Sequence, residues 1–248
     1  QHLHLQPPNP SSRANIPQRR IGVRRPQGGG IFIMSQNLGW YKGTCLPHAD
    51  FQGSLQSITY RLGDSLPQTV LARVEKEIAQ ENPEKQESAR RKRMEYYLNQ
   101  GYGSCALAND FAAKIIVNSW QEFSANHYEL IAWVVMPNHV HVLIMLDDQA
   151  PLGKIVQSWK RFTATRINRA LREGVIENKT PNIVENDSTS TKAAFWERDY
   201  WDRFIRYEQH FVNTIDYIHN NPVKAGLVQN PEHWPHSSAA LWKQRIQN

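Results

Sequence analysis

The chain has 248 residues, 40% of them hydrophobic and eight of them Trp, which is enough apolar material for a substantial core in one or at most two domains. The formal charge of +6 is weak evidence for a polyanionic partner, because Arg13, Arg19, Arg20, Arg24 and Arg25 lie near the start with no acid among them, and without these five the remainder stands at +1. Cys45 and Cys105 are far apart and outside any C-x-x-C pattern, which argues against a disulfide framework or a thiolate zinc site. No apolar run approaches the roughly 20 residues that span a bilayer, and no basic-then-apolar start is present, so neither export nor a membrane is expected and a reducing cytoplasm is.

Residues 1–30 are rich in Pro, Gly, Gln and Arg and carry no periodic apolar face. Such a segment cannot offset the entropy of ordering and is expected to be disordered. The chain begins with Gln and its first Met is Met34. Residues 1–33 therefore read either as a basic tail or as sequence upstream of the true start, and residues 34–248 as one domain.

"LQSITYRLGD" (55–64) alternates Ile58, Tyr60 and Leu62 against Ser57, Thr59 and Arg61, the period of a half-buried strand. Residues 66–80 read as a helix with Pro67 near its start, and residues 84–100 as a charge-laced helix ending at Gly101 and Gly103. Residues 106–123 predict a third helix with Leu107, Phe111, Ile115 and Trp120 as its core stripe. "YELIAWVVM" (128–136) and "HVHVLIML" (139–146) follow as two strands joined by Pro137 and Asn138, standard turn residues, hence a β-hairpin. Residues 151–174 predict a long amphipathic helix, residues 178–192 a polar loop, and the aromatic and basic stretch 195–206 a strand. The helix over 207–222 is expected to stop near Asn220 or Asn221, because Pro222 disfavours helical geometry before it. The order implies an α+β fold with helices packed on an antiparallel sheet, for which a ferredoxin-like arrangement is the natural candidate.

Two imidazoles inside an apolar strand need an explanation. Positions i and i+2 of a strand share a face, so His139 and His141 project side by side while Val140 and Val142 point the other way. Such a pair can grip one divalent ion, or it can be two histidines on a wet sheet face; the flanks "WVVM" and "VLIML" favour a central strand. Tyr217 and Asn221 are spaced i, i+4 and share a helix face. They read as a phenolate nucleophile and a hard-metal oxygen ligand, or as a core aromatic and a helix cap.

"WVVMPNHVHVLIML", followed some 75 residues later by "IDYIHNNPVKAGLV", resembles the REP-associated tyrosine transposases, relatives of the single-strand insertion-sequence transposases in the HUH endonuclease superfamily. The resemblance covers roughly residues 55–236, including "ITYRLGDSLP", "FWERDYWDRFIR" and "HWPHSS". It implies metal-dependent nicking and rejoining of single-stranded or hairpin (REP-type) DNA. The family's histidine pair falls on His139 and His141, its nucleophilic tyrosine on Tyr217, and its third metal ligand on Asn221. Insertion-sequence members often carry Gln at that last position, whereas Asn before Pro is similar to the REP-associated branch. The resemblance implies Mg²⁺ or Mn²⁺ as cofactor, a 5′-phosphotyrosine intermediate, and either a monomer or a homodimer, the latter with the tyrosine supplied in trans. No base for Tyr217 is visible in the sequence.

A DNA groove is expected from the helix over 151–174. Lys154, Arg161, Arg169 and Arg172 fall on one face at 100° per residue, opposite Leu152, Val156, Trp159 and Ala170. Single-sign charge with Trp196, Tyr200 and Trp201 nearby suits a backbone-tracking, base-stacking surface, although those aromatics fit a core equally well. Two other readings stand beside the nicking enzyme: a catalytically silent protein that binds hairpin DNA, and an unrelated metallohydrolase built on the H-x-H pair.

Overall fold

The computed structural model describes residues 39–42, 47–50, 54–147, 151–176 and 194–247. The expected N-terminal disorder and the polar loop over 178–192 lie outside the described residues. A two-stranded ribbon, β1 (Gly39–Lys42) and β2 (Pro47–Asp50), precedes the main sheet.

The main sheet contains β3 (Leu55–Arg61), β4 (Tyr128–Val135), β5 (His139–Leu146) and β6 (Trp201–Phe204), in the order β4-β5-β3-β6 with antiparallel neighbours throughout. Helices α1 (Gln68–Ile78), α2 (Pro83–Leu98) and α3 (Asp110–His127) connect β3 to β4, and α4 (Leu152–Arg172) connects β5 to β6. A strand, a helical crossover, a hairpin, a second crossover and a last strand at the opposite edge make the split βαβ pattern of a ferredoxin-like sheet. The hairpin read from the sequence forms, and His139 and His141 stand on β5 in the interior of the sheet.

Strand alternation divides the sheet into two unlike faces. Ile58, Tyr60, Val140, Val142 and Ile144 point to one side, where α3 and α4 bring Ile116, Trp120, Leu152, Val156 and Trp159. The polar ends of the aromatics here are paired: Trp159 Nε1 donates to the Tyr128 hydroxyl at 3.0 Å, that hydroxyl donates to the Trp120 carbonyl at 2.6 Å, and Trp120 Nε1 donates to the Tyr60 hydroxyl at 3.1 Å. Of the two readings the sequence left open for these aromatics, Trp196 and Tyr200 take the core one, while Trp201 is half-buried. The Lys160 ammonium donates to the carbonyls of Glu197, Arg198 and Asp199 at 3.0–3.1 Å and so pins the approach to β6.

The core stripe of α3 differs from the expected one. A 3₁₀ turn occupies Ala106–Ala108, and α3 starts only after Asn109, whose side chain accepts from the backbone N–H groups of Phe111 and Ala112. That late start turns Ala112, Ala113, Ile116 and Trp120 inward and leaves Phe111 exposed.

The other face carries Ala132, Val134, Met136 and Leu143, covered by Ile215 and Ile218 of α5 (Glu208–Lys224). This helix does not stop before Pro222 as expected. It continues to Lys224 and closes at Gly226, whose φ of +70° is open to glycine at little cost. Gly226 N–H bonds the Val223 carbonyl and Leu227 N–H the Pro222 carbonyl, the paired bonds of a Schellman stop. Pro222 so near the end removes one hydrogen bond, and burial of Ile218, His219, Asn221 and Pro222 outweighs it.

After α5 the chain returns along the outer edge of β4. Val135 N–H bonds the His236 carbonyl, Ser238 N–H bonds the Trp133 carbonyl, and the indoles of Trp234 and Trp242 donate to the Val135 and Ile131 carbonyls. The last helix, α6 (Ala239–Gln247), follows. Ile131 sits at the irregularity between Leu130 and Ala132 in the β4–β5 register, which fits a β-bulge there.

Candidate active site

The histidines lie on the β5 face that α5 covers. His139 is fully buried and His141 is 2% exposed, with ring centroids 4.9 Å apart. Each ring is held from behind. His139 Nδ1 lies 2.7 Å from Asn138 Oδ1, and the Asn138 amide donates to the Leu98 and Tyr102 carbonyls. Its oxygen is therefore the acceptor, the proton sits on Nδ1, and Nε2 presents a lone pair. His141 Nδ1 lies 2.7 Å from the hydroxyl of Thr59, its partner in the β3–β5 register.

Burial disfavours the imidazolium form, pushing His139 down to about 3. His141 is also pushed well below the usual range, by burial first and then by His139 and Lys224. Both rings are thus neutral at pH 7, the state in which histidine binds metals.

α5 brings Tyr217 and Asn221 to this face. The Tyr217 and His141 ring centroids are 5.2 Å apart, within one chain, and the Lys224 ammonium lies 4.8 Å from the Tyr217 ring centroid. Asn221 is fully buried and its Nδ2 donates to the Tyr217 carbonyl at 2.8 Å. His139 Nε2, His141 Nε2 and Asn221 Oδ1 are buried atoms with no hydrogen-bond partner. Such atoms carry a desolvation cost, so their occurrence in one region calls for an explanation. Two imidazole lone pairs and a carboxamide oxygen form a donor set suited to a divalent ion.

Sequence reasoning missed Glu95. It comes from α2 and lines the same cavity as Tyr217, on whose hydroxyl it acts. Burial raises the Tyr217 pKa most, the Glu95 charge and hydrogen bond raise it further, and Asn221 and Arg203 oppose them. Tyr217 is consequently a neutral phenol in this arrangement. α2 carries no apolar periodicity aimed at the sheet, so only the tertiary packing reveals Glu95. Thr59 was more accessible to inference, since strand parity puts it on the same face as the histidines.

A cavity of about 870 Å³ opens beside Tyr217 and His141, with Glu95, Trp201, Arg203 and Arg206 among its lining residues. The four cations expected to bind DNA are elsewhere. Lys154, Arg161, Arg169 and Arg172 do form an exposed face of α4, but α4 packs on the opposite side of the sheet, and Arg169 is paired with Glu173 at 2.7 Å. They do not line the site.

Residues 106–221, a little under half of the chain, match the family model described as Transposase IS200 like. A REP-associated tyrosine transposase of Haemophilus influenzae is 27% identical over 117 residues, covering 46% of this chain and 62% of that protein. One from Escherichia coli K12 is 27% identical over 115 residues, 45% of this chain and 54% of that one. The chain thus spans less than two thirds of the length of these relatives. A solved structure of a REP-associated tyrosine transposase bound to a REP hairpin is similar at 17% identity with a TM-score of 0.43, covering 77% of this chain and 79% of that one. Among the described residues no helix is long and apolar enough to cross a membrane.

Proposed function

We propose that this protein nicks and rejoins single-stranded DNA next to hairpin structures, through a covalent bond to Tyr217. The observation that carries the reading is the set of three unpartnered buried acceptors, His139 Nε2, His141 Nε2 and Asn221 Oδ1, on the sheet face where Tyr217 packs against His141. Mg²⁺ or Mn²⁺ held by these three atoms would supply positive charge to the scissile phosphate and to the departing oxygen. Asn138 and Thr59 fix the two imidazoles from behind, which keeps both ligands oriented.

In the proposed reaction Tyr217 Oη attacks the phosphorus, and the bond from phosphorus to the 3′ oxygen breaks. The products are a 5′-phosphotyrosine and a free 3′ hydroxyl. The Glu95 carboxylate accepts the phenol proton and is the nearby group able to return it to the leaving oxygen. One phosphodiester is exchanged for another, so the reverse attack by a 3′ hydroxyl rejoins DNA without ATP.

The test is incubation of the full chain with hairpin oligonucleotides bearing single-stranded flanks, in Mg²⁺ or in EDTA. A covalent adduct is expected only with metal, and Tyr217→Phe is expected to abolish it while leaving DNA binding within about threefold of wild type. An adduct persisting in that variant would move the nucleophile elsewhere, with Tyr207 next in line. Binding without an adduct under any metal condition would favour the catalytically silent hairpin-binding reading.

A further inference from the structure

The cavity beside Tyr217 has one wall from outside the family-matched segment. α2 contributes Arg91 and Lys92, and across the cavity β6 and the turn after it contribute Arg203 and Arg206. The acids of the cavity are engaged. Glu87 pairs with Arg91, and Glu95 reaches the Tyr217 hydroxyl, while Asp202 is buried and also has a partner. Lys92, Arg203 and Arg206 are exposed and have no ion-pair partner among the described residues. Tyr207 stands at the rim, 65% exposed, a large aromatic surface held at the start of α5.

We propose that α2 and the β6–α5 turn are the two walls of a single-strand DNA channel, in which Lys92, Arg203 and Arg206 contact phosphates and Tyr207 stacks on a base. Cations on two walls with an exposed aromatic at the rim are what sequence-tolerant single-strand binding demands. The volume, about 870 Å³, is in the range of roughly 300–1,000 Å³ typical of clefts that enclose a small molecule, room for a short stretch of single strand. The inference rests on the reading of the chain as a DNA-processing protein, and it moves the binding surface from α4 to the sheet face that carries Tyr217.

The experiment is fluorescence-anisotropy titration of wild-type chain with labelled dT20 in EDTA, across a salt series, with thermal melts to confirm that each variant is folded. Each phosphate contact to a single strand contributes about 0.7 to the slope of log affinity against log salt. Arg203→Gln with Arg206→Gln should flatten the slope by about 1.4, so that between 50 and 200 mM salt the wild type loses about sevenfold more affinity than the variant. Lys92→Gln should flatten it by about 0.7. Tyr207→Ala should weaken binding about tenfold with the slope unchanged. Lys154→Gln with Arg172→Gln should alter neither quantity, and a 20-base-pair duplex should compete poorly.

Unchanged affinity and slope in the folded channel variants would overturn the proposal, as would a flattened slope in the α4 pair alone. Absence of dT20 binding by the wild type, or stronger binding of the duplex, would overturn it as well. Because binding is read without metal, its failure is separate from failure of the chemistry. A wild type that binds through these residues but forms no adduct with metal would remove the phosphotyrosine reading and leave the channel standing.

Discussion

The two faces of the sheet solve opposite problems with the same strands. On the α3–α4 side, Trp120, Trp159, Tyr60 and Tyr128 are buried and pass hydrogen bonds from one to the next. On the α5 side, three buried acceptors are left unpaired beneath a tyrosine. Adjacent residues of β5 serve both faces, Val140 and Val142 in the core and His139 and His141 in the site. One face supplies the stability that lets the other hold a costly polar arrangement. A rigid strand whose apolar side is locked is also a precise mount for two ligands on its other side.

This contrast can be broken first on the dry face. Trp159→Ala should cost about 3–5 kcal/mol of unfolding free energy, the usual range for removing a buried Trp, read from urea denaturation. If that chain stays folded, it should keep any stabilisation given by metal, since the two faces do different work. Loss of both together would show that the faces are not separable.

The metal prediction is next in size. Added Mn²⁺ should stabilise the wild type by about 2.7 kcal/mol at a hundred times its dissociation constant, measured as a shift of the urea midpoint. His139→Ala should retain most of the metal-free stability and lose that increment. A metal-induced shift that survives His139→Ala would put the ion somewhere else.

The smallest effect concerns His219, on α5 but outside the ligand set. Its Nε2 lies 2.8 Å from Ser238 Oγ, and burial pulls its pKa down to about 4. The folded value is depressed below the unfolded 6.5, so in the acid window between them the unfolded chain binds a proton that the folded chain refuses. Stability from this residue is therefore complete above about pH 6.5 and declines as pH falls toward 4. The loss between pH 7 and pH 5 should be about 2 kcal/mol, and His219→Gln should flatten the curve by that amount. An unaltered acid profile in the variant would assign the lability to other groups.

Much of this arrangement was legible in the sequence because it is written in local periods. Alternation in 55–62 and across "HVHVLIML" yielded the strands and the face of the histidines, and the i, i+4 spacing of Tyr217 and Asn221 put them on one face of α5. What escaped depends on tertiary packing. The basic face of α4 has the periodicity expected of it, but no periodicity tells which side of a sheet a crossover helix covers, and α4 lies opposite the histidines. Glu95 reaches Tyr217 only because α2 folds back toward α5. The end of α5 was misjudged from Pro222, when Gly226 four residues later carries the stop signal.

The return of residues 234–242 along β4 bears on how copies of this protein can meet. An outer strand with bare N–H and C=O groups is a template for another chain, and proteins commonly blunt it. Here the backbone of Val135 bonds His236 and that of Trp133 bonds Ser238, and the two indoles reach the Val135 and Ile131 carbonyls. That border of the sheet is already occupied by the chain's own tail. Edge-to-edge strand pairing between two copies through β4 is therefore blocked, and a version cut before Trp234 would turn a sealed margin into an adhesive one.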